Sequence, residues 1–591
     1  MLLITTPLIL WTLCTSSLAR SVPPRDTAPS VYLEDADVRF TGTLSVETES
    51  FLNIRFGQDT SGKNRFIPPK PYTYPAGSVV NASQSGAACP QLRDPDPDFP
   101  IFANVTNISE DCLTLRVDRP VNTSPFSRLP VLVFIYGGGD TIGQIYDPIY
   151  DPTALVASAT QKGLPIIYVA MNYRLGIFGF ASSPALNETD SLNSGLLDQR
   201  LALWWIQDNI AAFGGDPDQV TIFGESDGAT GVALQMTAYG GKVPKAPFRR
   251  AIMESGGATA DTGTATNVAG ERTAQVTELV NCTSSTSNSR EELRCLQKLP
   301  MLSLLNAATD IEAQVAGAGG FDVFIPTSPS SFIPDSPSTL LKTGQFVRDI
   351  DVISGWAEND GAFFTPTELY SSSDVAAFLA ETYPSLTNSS IEEALALYPI
   401  SQFSNDTSVN PPINAQYFRA SQMIRDCQMT CVSLLTVQTN AQYASEPGVS
   451  SYLYALNQTV FTAFLDAEGV SYYGVPHFSD IPYIFNEVST DPDFAPIATA
   501  SDVQLASEMS TSWASFATFG NPSRVNGTIT GWSQALPAGS GSWTSSYNLQ
   551  VIGGPDKRLA STGSEPRDYN EDIVQRCAFW NSPEVLAAIG I

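Results

Sequence analysis

The stretch from residue 213 to residue 238 constrains the fold more than any other. Val220-Thr-Ile-Phe223 is a short run of apolar and β-branched residues, Gly224-Glu225-Ser226-Asp227-Gly228 follows it, and Ala229 to Ala238 has helical character. Strand, sharp turn and helix in that order make a nucleophile elbow, whose turn forces its central residue into strained backbone angles. Glycines two positions to either side remove the side chains that would clash there. Gly-x-Ser-x-Gly by itself arises by chance in long chains, so the flanking strand and helix carry the assignment. Ser226 is the candidate nucleophile.

Other segments extend the same alternation. Leu129 to Tyr136 reads as a buried strand ending in Gly137-Gly138-Gly139, and Pro165 to Met171 as another. Leu196 to Phe213 has helical spacing and stops at Gly214-Gly215. Arg249 to Glu254 and Ile350 to Ser354 read as further strands. Strands alternating with helices imply an α/β fold with a large, mostly parallel central sheet flanked by helices. The 591 residues are numerous enough for several domains, but motifs spread over the whole length argue for one catalytic domain, residues 20–591. With 43% hydrophobic and 15% charged residues, the chain has the composition of a folded protein.

A serine hydroxyl is a weak nucleophile until a base takes its proton. The chain contains one histidine, so an imidazole base can only be His477, in the loop-like stretch Gly474-Val-Pro-His477. A single imidazole also excludes any metal site built on several histidines. The third member has to be a carboxylate that fixes the imidazole tautomer. Gly355-Trp-Ala-Glu358-Asn-Asp360-Gly361, after the Ile350 strand, offers Glu358 and Asp360. The order Ser226, acid, His477 is the chain order of α/β-hydrolases. Gly137 to Gly139 at a strand end, with the N–H of Asp227, can supply the backbone donors that an oxyanion requires.

These motifs resemble the type-B carboxylesterase and lipase family, the cholinesterase-like α/β-hydrolases, and among them secreted fungal-type members. The resemblance spans roughly residues 38 to 580. It rests on Phe213-Gly-Gly-Asp-Pro-Asp-Gln-Val-Thr-Ile-Phe-Gly-Glu-Ser226-Asp-Gly228 and Glu110-Asp-Cys112-Leu-Thr-Leu115. Asn172-Tyr-Arg-Leu-Gly-Ile-Phe-Gly179, Trp513-Ala-Ser-Phe-Ala-Thr-Phe-Gly520 and Cys577-Ala-Phe-Trp580 fit it as well. It implies an α/β-hydrolase fold and a carboxylic ester hydrolase with nucleophile Ser226, base His477 and acid Asp360, Glu358 being the lesser alternative. It puts the oxyanion donors at Gly138, Gly139 and Asp227, with no metal or organic cofactor. It also implies disulfides Cys89–Cys112, Cys282–Cys295 and Cys431–Cys577, leaving Cys427 free; Cys427 lies one helical turn from Cys431, so the third pair is the least fixed.

Two residues depart from the pattern. Relatives usually have Ala after the nucleophile, where this chain has Asp227, and often an aromatic after the glycine triplet, where it has Asp140. Backbone donors survive a side-chain change. Carboxylates beside a developing oxyanion oppose it unless they point away, are protonated or are paired.

Several features imply export. Met1 to Ala19 carries no charge, holds an apolar stretch from Leu8 to Leu13 and ends in Ser17-Leu18-Ala19, so residues 1–19 read as a signal peptide. No later run is apolar for long enough to span a bilayer. Ten Asn-x-Ser/Thr sequons, at Asn81, Asn104, Asn107, Asn122, Asn187, Asn281, Asn388, Asn405, Asn457 and Asn526, suggest a glycosylated extracellular protein. Lys plus Arg number 31 and Asp plus Glu 60, a net charge of −29, which disfavours nucleic acid as a partner. The expected partner is a small-molecule or lipid ester. The 22 residues between Cys89 and Cys112 are acidic and few for a lipid-binding flap, which favours soluble esters over the alternatives of a lipase or sterol esterase. A non-catalytic, cholinesterase-like binding protein is the remaining alternative.

Overall fold

A computed structural model describes residues 28–91, 105, 107–243, 245–286, 288–316, 322–541, 546–554, 558–561 and 572–591. The signal-peptide assignment, Asn104 and most of the loop between Cys89 and Cys112 lie outside these residues.

Among the described residues eleven strands form the central sheet. In spatial order they are Arg558–Ser561, Asn548–Ile552, Ser451–Leu456, Asp351–Ala357, Arg250–Glu254, Gly215–Glu225, Leu129–Ile135, Ile167–Met171, Thr114–Pro120, Thr48–Arg55 and Thr43–Leu44. The seven from Asn548–Ile552 to Ile167–Met171 run parallel. Antiparallel pairs finish both edges. A small second sheet joins Ser30–Leu33, Val38–Thr41 and Ser78–Asn81. The strands from Leu129, Ile167 and Arg250 are buried along nearly their whole length, as a sheet covered on both faces requires.

Strand order sets where a site can form. After Leu129–Ile135 the chain crosses to Ile167–Met171 on one side; after Gly215–Glu225 it crosses to Arg250–Glu254 on the other. These two neighbouring strands therefore flank a topological switch point, and the crevice beyond their carboxyl ends is where open α/β sheets bind ligands. Gly137 to Gly139 leave one strand end and Ser226 leaves the other.

The sequence readings locate the central strands within one to five residues. The elbow strand begins earlier than expected, at Gly215, and the helix after it runs Asp227–Thr237. Arg174, inside the motif from Asn172 to Gly179, is locked by buried hydrogen bonds to both oxygens of Asp198, each 2.7 Å long. Three disulfides join Cys89 to Cys112, Cys282 to Cys295 and Cys431 to Cys577, and Cys427 is free and buried. A π-helical turn, Asp426–Thr430, separates the helices Ala415–Arg425 and Cys431–Tyr443, and Cys431 opens the second of them. Among the described residues no helix is long and apolar enough to cross a membrane.

Candidate active site

Ser226 has φ +59° and ψ −130°, a conformation that side chains strongly disfavour. The turn is held by the Ser226 N–H donating to the Glu254 carbonyl at 2.9 Å, and by the first helical bonds from Ala229 and Thr230 to the Ser226 carbonyl. A Cβ on Gly224 would stand 2.5 Å from the Ile135 carbonyl oxygen, and one on Gly228 only 2.1 Å from it. Both positions therefore require glycine because the elbow crosses directly over the neighbouring strand.

His477 reaches this serine from a loop 251 residues away, its Nε2 lying 2.8 Å from Ser226 Oγ. Its Nδ1 is 2.8 Å from Asp360 Oδ1. Two contacts pin the loop to the strand end that carries the acid: Val475 N–H donates to Asn359 Oδ1 and Asn359 N–H to the Val475 carbonyl, both at 2.9 Å. Phe485, just beyond the short helix Ile481–Ile484, packs against Phe134 with ring centroids 5.2 Å apart. The histidine segment is thus anchored on the sheet that carries Ser226.

Asp360 is fully buried, and its second oxygen accepts from Ser255 Oγ at 2.8 Å and from the Ala357 N–H at 2.7 Å. Glu358 turns elsewhere: its carboxylate lies 3.9 Å from Arg425 and is partly exposed. Of the two carboxylates the sequence offered, Asp360 meets the histidine.

Sequence reasoning missed three participants. Ser255 and Asn359 orient the acid and the histidine loop; Asn359 lay inside the acid motif, whereas nothing marks Ser255 in the sequence. Glu225, next to the nucleophile, is buried, and its Oε1 is 3.3 Å from His477 Nε2. Desolvation, reinforced by Asp480 and Asp360, pushes its carboxyl pKa well above the usual range. Glu225 therefore places a carboxyl group with a raised pKa beside the imidazole.

The glycine triplet faces the elbow, and a Cβ on Gly137 would stand 2.8 Å from Ser226 Cβ. Gly138 and Gly139 both have positive φ, +110° and +63°. The N–H of Gly139 donates to Asp227 Oδ2 at 2.5 Å, and Ser226 Oγ is 3.4 Å from that same oxygen. Asp140, Asp227 and Asp261 are buried and bring carboxyl oxygens within 4.8 Å of one another. Burial raises the pKa of all three, and their mutual repulsion raises those of Asp140 and Asp261 further; the Gly139 N–H partly offsets the rise for Asp227.

The described sequons divide by exposure: Asn457 is half-buried, and Asn81, Asn107, Asn122, Asn187, Asn281, Asn388, Asn405 and Asn526 are exposed.

Comparison with known proteins bears on this geometry. Residues 35–551 match the model of the carboxylesterase family. A secreted lipase of Arthroderma benhamiae is 36% identical over 94% of this chain and 95% of its own. The inactive carboxylesterase-like protein VdtD of Byssochlamys spectabilis is 39% identical over 83% of this chain and 84% of its own. The solved structure of a PNB esterase superposes with a TM-score of 0.72 at 24% identity, covering 93% of this chain and 99% of that one, a likeness of fold. With an α/β-hydrolase sheet, a serine elbow at its switch point and a family match across most of its length, the chain belongs to the carboxylesterase family of carboxylic ester hydrolases.

Proposed function

We propose that the protein is a secreted serine esterase that cleaves carboxylic esters through an acyl-enzyme, with Ser226 as nucleophile, His477 as base and Asp360 as the orienting acid. One observation carries the reading: Asp360, His477 and Ser226 form a continuous relay with both contacts at 2.8 Å, and the serine is held at a strained elbow. In the first step Ser226 Oγ bonds to the ester carbonyl carbon while its proton passes to His477 Nε2. The imidazolium then protonates the departing alcohol as the carbon–oxygen bond breaks. Water repeats the sequence on the acyl-enzyme, releasing the acid and restoring the serine. Asp360 keeps the proton of neutral His477 on Nδ1, leaving Nε2 free to accept.

Export through a cleaved signal at residues 1–19 is part of the proposal, supported by the three disulfides and by relatives named as secreted lipases. The acidic segment between Cys89 and Cys112 favours dissolved esters as substrates, while the names of those relatives support lipid esters. A rate that jumps once one acyl ester exceeds its solubility limit would decide for the lipase. The test of the chemistry is labelling with a fluorophosphonate. Ser226 is the modified residue, and Ser226→Ala and His477→Gln both abolish labelling and hydrolysis with the fold retained. A second reading, a binding protein without turnover, draws support from the relative named inactive and from the carboxyl group beside the glycine triplet. Failure of folded wild-type protein to label would favour it.

A further inference from the structure

The oxyanion of the proposed mechanism has to be received by the N–H groups of Gly138, Gly139 and residue 227. In the structure this reception site already holds an oxygen. The Gly139 N–H points at Asp227 Oδ2, 2.5 Å away, at hydrogen-bond length. The Ser226 hydroxyl lies 3.4 Å from the same oxygen. The Asp227 carboxyl group therefore engages one of the three backbone donors, next to the atom that attacks the ester.

The Asp227 carboxyl group has few places to withdraw to. Asp140 and Asp261 crowd it with carboxyl oxygens within 4.8 Å. Among the described residues none of the recorded ion pairs joins these three aspartates to an arginine or lysine. On that side the carboxyl oxygens of Asp140 and Asp261 already stand close, whereas against Gly139 the Asp227 oxygen accepts a backbone hydrogen bond. The neighbouring aspartates thus favour the position in the hole.

We propose that Asp227 is an internal plug of the oxyanion hole, a residue whose side chain stands where the substrate's oxyanion has to stand and so restrains acylation of Ser226. This rests on the assignment of Ser226 as nucleophile. An ester carbonyl has to displace Asp227 Oδ2 from the Gly139 N–H before that donor can stabilise the transition state. The side chain at position 227 then sets how fast the site acts on small neutral esters.

The experiment compares wild type, Asp227→Ala and Asp227→Asn. It measures the second-order rate of fluorophosphonate labelling and the acylation burst with p-nitrophenyl butyrate. A single oxyanion donor is worth ~100-fold or more in rate. Asp227→Ala, which frees Gly139, is expected to label and acylate ten- to one-hundredfold faster, the gain appearing in kcat and not in KM. Asp227→Asn, which leaves a neutral oxygen in place, is expected to fall between. Thermal melting and the labelling stoichiometry show whether each variant keeps its fold and a single reactive serine. If wild type and Asp227→Ala label Ser226 at equal rates, or the alanine variant is slower at unchanged stability, the plug is refuted and the esterase reading stands. If neither protein labels, both the plug and the nucleophile assignment fall. Should Asp227→Ala not fold, Asp227→Asn decides alone, an unchanged or reduced rate overturning the proposal.

Discussion

Substituting Asp360 by asparagine tests the relay at its most constrained member, because every neighbour of that carboxylate is known. Oδ1 receives His477 Nδ1, and Oδ2 receives the Ala357 N–H at 2.7 Å and Ser255 Oγ at 2.8 Å. An asparagine in the same place has one oxygen and one amino group to distribute between these sites. The Ser255 hydroxyl can rotate to accept, but the Ala357 N–H can only donate. The amide oxygen is therefore retained by Ala357, and the amino group faces His477 Nδ1. That forces the imidazole proton onto Nε2, which then donates toward Ser226 Oγ instead of accepting its proton. The opposite flip sets the amino group against the Ala357 N–H in a fully buried site, leaving a donor unsatisfied at roughly 1–3 kcal/mol. That flip would keep the proton on Nδ1, but its cost leaves the first arrangement, which removes the base, predominant. Loss of the correct tautomer in such a triad costs about 10⁴ in kcat, equivalent to about 5 kcal/mol of transition-state stabilisation. The assay is steady-state hydrolysis of p-nitrophenyl butyrate together with imidazole nitrogen NMR. The spectrum is unambiguous because the chain has one histidine. Wild type should carry its neutral-imidazole proton on Nδ1 and Asp360→Asn on Nε2, at similar melting temperatures. Glu358→Gln, remote from the imidazole, should retain activity within about twofold. A folded Asp360→Asn enzyme within about tenfold of wild type, or one with an unchanged tautomer, refutes the reasoning.

Burial raises the carboxyl pKa of Glu312 from 4.5 to about 7, so folding takes up a proton between those values. Stability from this group is then greatest below about pH 4.5 and declines to a plateau above about pH 7, by at most about 3 kcal/mol. Melting curves should show Glu312→Gln stabilised relative to wild type at pH 8 and not at pH 4.5; an equal effect at both would contradict the shift. Cys427 is buried with its thiol pushed up to about 12, so the mature protein should give no reaction with a thiol reagent when native and one thiol per chain when unfolded without reductant. Gly228→Ala drives a methyl group to 2.1 Å from the Ile135 carbonyl oxygen and should destabilise by roughly 3 kcal/mol, read as a lower denaturation midpoint with reduced activity.

The elbow was legible because its demands are local. Strand, turn and helix are neighbours in the chain, and the two glycines are required by the backbone at the turn they belong to. His477 was legible for a different reason: composition left no other imidazole, so exclusion replaced geometry. Residue pattern alone left the acid a choice of two, Glu358 and Asp360 on one short loop, and the family resemblance favoured Asp360; the strand end Asp351–Ala357 turns that side chain to the histidine loop. The pairing of Cys431 rather than Cys427 rests likewise on the π-helical turn beside them, which no pattern in the sequence announced.

The sequence by itself determined the fold class and the family and offered the proposed nucleophile and base, because these depend on short-range periodicity and on residue types. Tertiary structure alone decided the rest. It brought Ser255 to the acid and Asn359 to the histidine loop, and it set Glu225 beside the imidazole. It also turned the Asp227 side chain into the site whose backbone N–H the sequence had offered as a donor. The physical reason is the same in each case: the partners come from different strand ends, and hydrogen bonds between them exist only once the sheet has set those ends side by side.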